Sequence, residues 1–444
     1  MKYPYNFFRD ISFSTPILTS MKEKPTSKPY QFPKKGEGAF RAYQKISNEL
    51  TLDGNVQLDL GSFSTTSMNP LADKLITEQL GKNFIDYNEY GQTKKIHDRI
   101  IGMLSGLLHA ADPHNPTGTS TLGSSEAIHL ALLSHKWNWK KRRESFGLSA
   151  SKPNIVYSGN AHVCWDKFAL YFDVEPRKIP QTSHDSYPIE EILKSIDQNT
   201  ICVGAIAGNT YTGSIDPIEK LNDEIIRLNK KHNWDVGIHV DAAIGGFVFP
   251  FIKREVKTWD FRLPLVRSIN LSGHKYGLVY PGIGWLILRE AAVLPKELIF
   301  TSHYLEKPIE TYTLNFSKGA SMILAQYFSI LQHGKQGYEK TIRDYCKTAD
   351  VIRKRLRRSG HFEIIDEGIL PVIVFRLKDV KEDMLTALLL KLRSKNWMLP
   401  AYQIPGISKQ ETLLRIVVKE NISPELAQLF CDDLIYSYET LKND

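Results

Sequence analysis

At 444 residues and 42% hydrophobic content, the chain has enough apolar material for one large domain and a smaller companion, which excludes a small disulfide-dependent scaffold. Its 57 basic and 49 acidic residues leave a net charge of +8; most cations have an anion at hand, so nucleic-acid binding is not expected. Cys164, Cys202, Cys346 and Cys431 are far apart and form no CxxC pair, which argues for reduced structural thiols in a cytosolic protein and against a zinc site or other metal centre.

The first thirty or so residues, with Pro4, Pro16, Pro25 and Pro29 among charged residues, read as a loosely ordered arm without the apolar core of an export signal. Helical spacing runs over 38–50, and more compact sequence begins at 58–63. From there to about residue 300, short apolar runs at 154–157, 201–207, 236–241, 267–272 and 283–288 alternate with helical stretches, the pattern of an α/β domain with a mostly parallel sheet. The basic run 136–143 falls at the end of a predicted helix, where cations are stabilised by the helix dipole, and reads as a solvated helix end. The window 236–252 is the most apolar long stretch, but Asp241, Gly245, Gly246 and Pro250 interrupt it; it predicts a buried strand followed by a turn, not a membrane span.

After a loop at 301–313, Ala320, Ile323, Leu324, Tyr327 and Leu331 keep the spacing of a helix with one buried face, and Tyr338, Ile342, Tyr345, Ala349, Ile352 and Leu356 do the same. Strands at 372–375 and 414–418 with helices at 384–394 and 424–441 predict a small α+β domain. The expected organisation is an N-terminal arm and helix over 1–57 that meets another subunit, a large domain over 58–345, and a small C-terminal domain over 346–444.

Two segments carry the strongest chemical signal. In SINLSGHKYG (268–277) a lysine stands just past a β-like run with a histidine beside it, and in HVDAAIGG (239–246) a lone aspartate ends an apolar strand. Pyridoxal phosphate (PLP) chemistry needs such a pair: Lys275 to hold the cofactor as a Schiff base, and Asp241 to keep the pyridine nitrogen protonated so that the ring accepts electrons. Phosphate needs N–H groups and hydroxyls, and GSSE (123–126) offers both at a predicted helix start. His162 follows the strand at 154–157, and Thr210 lies in GNTYTG after the strand at 201–207. Ligands of doubly wound sheets collect at the carboxyl ends of strands, so Ser124, Ser125, His162, Thr210, Asp241 and Lys275 are expected on one rim. Singly, each has an ordinary reading: a satisfied core histidine, a turn threonine, a helix-capping aspartate.

Taken in order, LDGNVQLDLGSF, GSSEA, VCWDKFA, TYTG, HVDAAIGGFVFPF, WDFRLP, SGHKYG and LNFSKGASMILAQYF resemble the group II PLP-dependent decarboxylases, and within them the glutamate decarboxylases, from about residue 32 to 418. The resemblance implies the aspartate aminotransferase-like fold (fold type I), PLP as cofactor, a cytoplasmic homodimer or hexamer, and decarboxylation of L-glutamate to 4-aminobutanoate with consumption of a proton. Lys275 would be the Schiff-base lysine, Asp241 the pyridinium partner, Ala243 the contact on one ring face and His162 the stacking group on the other. Ser124, Ser125, Ser272 and His274 would hold the phosphate, with Ser317 reaching it from the neighbouring subunit. Arg415 matches the arginine for the substrate α-carboxylate, Ser62, Phe63 and Asp86 match the positions that receive the distal carboxylate, and Tyr304 matches the loop tyrosine that protonates the α-carbon.

The chain also departs from that pattern. His162 stands where bacterial and plant glutamate decarboxylases usually have glutamine, Ser62 replaces a threonine, and the loop 305–312 lacks the usual glycine. No histidine follows Arg415, so closure of the active site at neutral pH by a C-terminal histidine is not expected. Two alternatives stay open: a PLP-dependent decarboxylase or lyase for another amino acid (aspartate, cysteine sulfinate or an aromatic one), which would share fold and cofactor, and a catalytically silent homologue.

Overall fold

The computed structural model describes residues 30–112, 114–183, 186–303, 308–378, 382–405 and 411–443. Contacts divide the chain after Gly54 into two units. In the first, helix α1 (Ala39–Leu50) follows Gly38, and Phe40, Tyr43, Ile46 and Leu50 along it are all exposed.

The second unit begins with α2 (Pro70–Glu78), capped by the Asn69 side chain on the Leu71 amide, and α3 (Gly91–Leu107). There follow β1 (Thr117–Thr121), α4 (Ser124–Ser145), β2 (Asn154–Ser158), α5 (Cys164–Tyr171), β3 (Glu175–Ile179), α6 (Ile189–Lys194), β4 (Thr200–Ile206), α7 (Ile218–His232), β5 (Gly237–Asp241), β6 (Val266–Ser272) and β7 (Gly284–Leu288). These strands form one seven-stranded sheet in the order β1-β7-β6-β5-β4-β2-β3. The pairs from β3 to β6 are parallel, and β7 runs antiparallel to both β6 and β1. Strands β2, β4 and β5 are buried along their whole length, as expected where helices cover both faces of a parallel sheet.

Helix α4 lies against this sheet with nearly its whole first half buried, from Glu126 to Leu132. A Cβ on Gly284 would come within 2.5 Å of the Gly123 carbonyl carbon, so the missing side chain lets the start of α4 meet the end of β7. The basic far end of α4 ties loops down: Arg142 donates to Asn233 O at 2.7 Å and Arg143 to Gln198 O at 3.2 Å.

Past the paired strands β8 (Phe300–Ser302) and β9 (Ile309–Thr311), the two helical patterns of the sequence become two helical segments joined across a kink, together α8 (Ser321–Ser359). It is interrupted only at Gly334, whose φ of +54° is left-handed and strained for any residue with a side chain. Next come β10 (Phe362–Ile364), β11 (Val372–Leu377), α9 (Glu382–Ser394), β12 (Ala401–Gln403), β13 (Thr412–Val417) and α10 (Pro424–Asn443). The four strands pair antiparallel in the order β10-β11-β13-β12, and their apolar face packs on Leu356, Leu388, Leu392, Phe430 and Leu434 from the three helices. All four cysteines are buried and free. Among the described residues no helix is long and apolar enough to cross a membrane.

Helix α8 is pinned to this sheet by a buried ion pair. Arg353 and Asp366 are each 3% exposed and meet at 2.7 Å; Arg353 also donates to Leu370 O and Val372 O, and Asp366 accepts the Gly368 and Val374 amides. Arg353 also reaches the half-exposed Asp350 at 2.8 Å, but removing Asp366 takes away its buried partner, a loss on the order of 3 kcal/mol. Asp366→Ala is therefore expected to lower the thermal unfolding midpoint well beyond the effect of Asp344→Ala on the exposed face of α8; equal midpoints for the two variants would contradict this role.

Candidate active site

Because β4, β5 and β6 run parallel, their carboxyl ends open on one rim, where a cleft of about 170 Å³ lies. Ser124, Ser125, His162, Thr210, Asp241, Ala243, Ser272, His274 and Lys275 all line it. The residues that sequence reasoning expected on one rim are thus brought together.

Lys275 sits in the turn after β6 with its amide on Ser272 O. Thr65 clamps that turn, its amide donating to His274 O at 2.8 Å and its hydroxyl to Lys275 O at 3.0 Å. The same clamp brings Phe63 alongside, so that the Lys275 Nζ stands 5.2 Å from the ring centroid. Burial lowers the amine to about 8, against the pull of Asp241 and helped by the charge on Arg415. A buried lysine near neutrality is a competent nucleophile.

Asp241, the last residue of β5, is held by three N–H donors. Asn270 Nδ2 and the Ala243 amide reach Oδ1 at 2.9 and 3.1 Å, and Trp165 Nε1 reaches Oδ2 at 3.4 Å. At the other end of the cleft the start of α4 meets the end of β6, where the Ser124 and Ser272 hydroxyls are 2.7 Å apart. A helix start with two hydroxyls is an anion cradle. An aldehyde carrier with a basic ring nitrogen and a phosphate finds a nucleophile, a carboxylate and this cradle in one cleft, so the residues present fit PLP.

His162 stands at the mouth. Its Nδ1 accepts the Cys164 amide at 3.3 Å and lies 3.2 Å from the Cys164 thiol. Burial lowers its pKa, Asp241 opposes this, and Lys275 and Lys167 add to the lowering.

Arg415 projects from β13 toward the Phe63 side. Its Nη1 donates to Thr210 O at 2.6 Å and Nη2 to Gly61 O at 2.8 Å, while Nε is buried without a partner among the described residues. The guanidinium lies between the Phe63 and Tyr402 rings, 4.7 and 5.4 Å from their centroids. Ser62 is beside it, with its amide on Asp59, and both line a second, larger cavity of about 570 Å³ bounded by Leu389, Trp397 and Leu399.

Asp86 and Ser317 do not line the Lys275 cleft of their own chain. Their segments are zipped to each other: the Phe84 amide donates to Lys318 O at 2.7 Å, the Lys318 amide to Asn83 Oδ1 at 3.2 Å, and Asn83 Nδ2 reaches the Ser317 hydroxyl at 3.5 Å. Tyr304 lies outside the described residues.

Sequence reading did not single out Asn270 and Trp165 on Asp241, Cys164 on His162, or Asn160 and Asn209 in the cleft wall. Asn270, Cys164, Trp165 and Asn209 sit inside SINLSGHKYG, VCWDKFA and GNTYTG; only proximity to a motif residue could have marked them.

The family model described as the pyridoxal-dependent decarboxylase conserved domain matches residues 58–378. Glutamate decarboxylase of Petunia hybrida is 44% identical over 398 residues, 88% of this chain and 79% of the relative. That of Lactococcus lactis subsp. lactis is 38% identical over 438 residues, 97% and 94% of the two chains. Among solved structures, Lactobacillus brevis glutamate decarboxylase superposes with a TM-score of 0.88 at 38% identity, covering 94% of this chain and 96% of that one. Burkholderia pseudomallei sphingosine-1-phosphate lyase, at TM-score 0.80 and 19% identity over 95% and 94% of the chains, shares the fold. That fold is the α/β architecture of fold type I PLP enzymes. By sequence match, superposition and the contents of its cleft, the chain belongs to the pyridoxal-dependent decarboxylase family, in the glutamate decarboxylase branch, whose cofactor is pyridoxal 5'-phosphate.

Proposed function

We propose that this protein decarboxylates L-glutamate to 4-aminobutanoate and carbon dioxide, consuming a proton. The observation that carries the reading is the buried Lys275 amine, lowered to about 8, in one cleft with Asp241 and the Ser124–Ser272 hydroxyl pair. When bound, PLP supplies the electron sink for the pair left behind by carbon dioxide.

The protein's part is to hold and orient. Lys275 would hold the cofactor covalently, Asp241 would hold the proton on its ring nitrogen, and Ala243 and His162 would flank the ring. Ser124, Ser125, Ser272, His274 and the start of α4 would take the phosphate, with Thr210 closing the wall. Arg415 would receive the α-carboxylate: two backbone carbonyls and two aromatic rings fix its guanidinium plane, and an oriented carboxylate sets which bond at the α-carbon breaks. Ser62, Phe63 and Asp86 would receive the distal carboxylate. Tyr304 would deliver the proton to the α-carbon, a step that requires exclusion of bulk water.

The zipped pair of segments carrying Asp86 and Ser317, both outside their own cleft, supports their serving the site of a second copy. A homodimer is then the smallest active unit, and a hexamer of such dimers is the larger alternative. A cytoplasmic location and the division into an arm (1–57), a large domain (58–345) and a small domain (346–444) complete the proposal.

Incubating purified protein with PLP and L-glutamate and analysing products by mass spectrometry is expected to give 4-aminobutanoate with wild type and none with Lys275→Ala. A PLP-loaded wild type inert to glutamate would overturn the substrate assignment and move the search to other amino acids. A second outcome follows from the lowered amine. Lys275 is protonated below about pH 8 and neutral above it, so cofactor capture by cofactor-free protein is expected to speed up roughly tenfold per pH unit below that point and level off beyond it. Stopped-flow absorbance measures this, and a flat profile between pH 6 and 9 would contradict it.

A further inference from the structure

Four buried polar residues take no direct part in the chemistry above, yet they are joined end to end behind Asp241. His135 on α4 is 2% exposed, and His239, Ser268 and Asn270 on β5 and β6 are fully buried. His135 Nε2 lies 3.0 Å from Ser268 Oγ, Ser268 Oγ 2.8 Å from His239 Nδ1, His239 Nε2 2.9 Å from Asn270 Oδ1, and Asn270 Nδ2 2.9 Å from Asp241 Oδ1.

Donor and acceptor chemistry gives this chain one direction. A carboxylate accepts, so Asn270 turns its amide nitrogen to Asp241 and its carbonyl to His239. His239 Nε2 must then carry the proton. A neutral ring has a single N–H, so Nδ1 accepts and the Ser268 hydroxyl donates to it. The serine proton is thereby committed, and the serine oxygen accepts the N–H of His135. Burial keeps both rings neutral: it pushes His239 down to about 4 although Asp241, Asn270 and the Ser268 backbone all favour the charged ring, and His135 well below its ordinary value, with Arg267 and His239 adding to the effect. Among the described residues, the titratable groups facing the His239 ring are Asp241 on its own strand and His135 with Arg267 beyond Ser268, while the Cys202 thiol on β4 meets the His239 backbone.

Trp165 closes the arrangement from the other face. Its ring lies 5.5 Å from that of His239 while its Nε1 donates to Asp241 Oδ2. Gly204, opposite His239 on β4, admits it: a Cβ there would lie 2.5 Å from the indole.

We propose that His239 is a positioning residue for the cofactor site, the link that forces the Asn270 amide, and through it the Asp241 carboxylate, into the orientation that faces the cofactor's ring nitrogen. This rests on the reading of Asp241 given above. Without the His239 N–H, Asn270 is free to turn its carbonyl toward Asp241, setting oxygen against oxygen and removing one of the three donors.

The test has a part that needs no cofactor. In cofactor-free protein with ¹⁵N-labelled histidine, assigned with His239→Gln and His135→Gln, both rings are expected as neutral Nε2–H tautomers that do not titrate between pH 8 and about 5. An Nδ1–H form of His239, or a midpoint near 6.5, would overturn the proposal. In the second part, PLP affinity is compared for two variants. His239→Gln keeps an N–H near Nε2, and His239→Met fills the space without one. The Met variant is expected to bind PLP about tenfold more weakly or worse and the Gln variant within about threefold of wild type, at similar unfolding midpoints. Equal losses in both variants, or none in the Met variant, would also overturn it. Failure of the wild type to bind PLP would defeat the functional reading instead, and the tautomer measurement would still decide the chain.

Discussion

The pairing of β5 with β6 is the constraint on which the rest of the site depends. In its register Asp241 lies opposite Asn270 and His239 opposite Ser268. Because side chains alternate along a strand, a slip of one residue would turn these groups to opposite faces of the sheet. The register also shifts once, between Ile238 and His239, so the alignment at the rim is set locally by the last residues of each strand. Lys275 follows three residues after β6 ends, and the turn that carries it is tied back to Ser272 and to Thr65. Carboxylate and amine are thus delivered to the same rim by neighbouring strands.

Electrostatics sets the charge state of this rim. Two cations, Lys275 and Arg415, face the single ring of Phe63 at 5.2 and 4.7 Å. Arg415 keeps its charge, because even lowered by burial a guanidinium stays protonated at neutral pH. Lys275 is the group that gives way. Its amine loses hydration and feels the arginine, while Asp241 only partly compensates. Two carbonyl acceptors and two aromatic faces stabilise Arg415 without neutralising it, which leaves its charge available to a carboxylate ligand.

The same rim is assembled from distant parts of the chain. The segment around Gly61 to Thr66 touches both the Lys275 turn and β13: Leu60 O accepts the Val417 amide, Gly61 O accepts Arg415, and Thr65 holds the lysine turn. This segment therefore couples the four-stranded sheet to the seven-stranded one at the point where substrate would sit. Within the smaller sheet, the buried Arg353–Asp366 pair and the Arg353–Val372 hydrogen bond fasten α8 to β11.

Much of this was legible in the sequence because burial leaves a compositional trace. Strands β2, β4 and β7 are buried throughout and carry mostly apolar residues, whereas β5 (GIHVD) and β6 (VRSINLS) set polar groups among apolar ones; Lys275, Asp241 and the GSSE helix start stand near strand ends, the positions that α/β topology reserves for ligands. The edge strands β1 (TGTST) and β3 (EPRKI) escaped the reading; polar edges carry no such trace, and only pairing with β7 and β2 makes them strands. The two apolar patterns on either side of Gly334 correspond to the two helical segments that meet at its kink in α8. The chain by itself determined the α/β class and singled out Lys275, Asp241 and the GSSE helix start as candidates for nucleophile, ring partner and phosphate cradle. Only tertiary structure decided that Asn270, His239, Ser268 and His135 stand in line behind Asp241, and that the segments carrying Asp86 and Ser317 pair outside their own cleft, since hydrogen bonds between residues far apart in sequence leave no periodicity for a sequence to show.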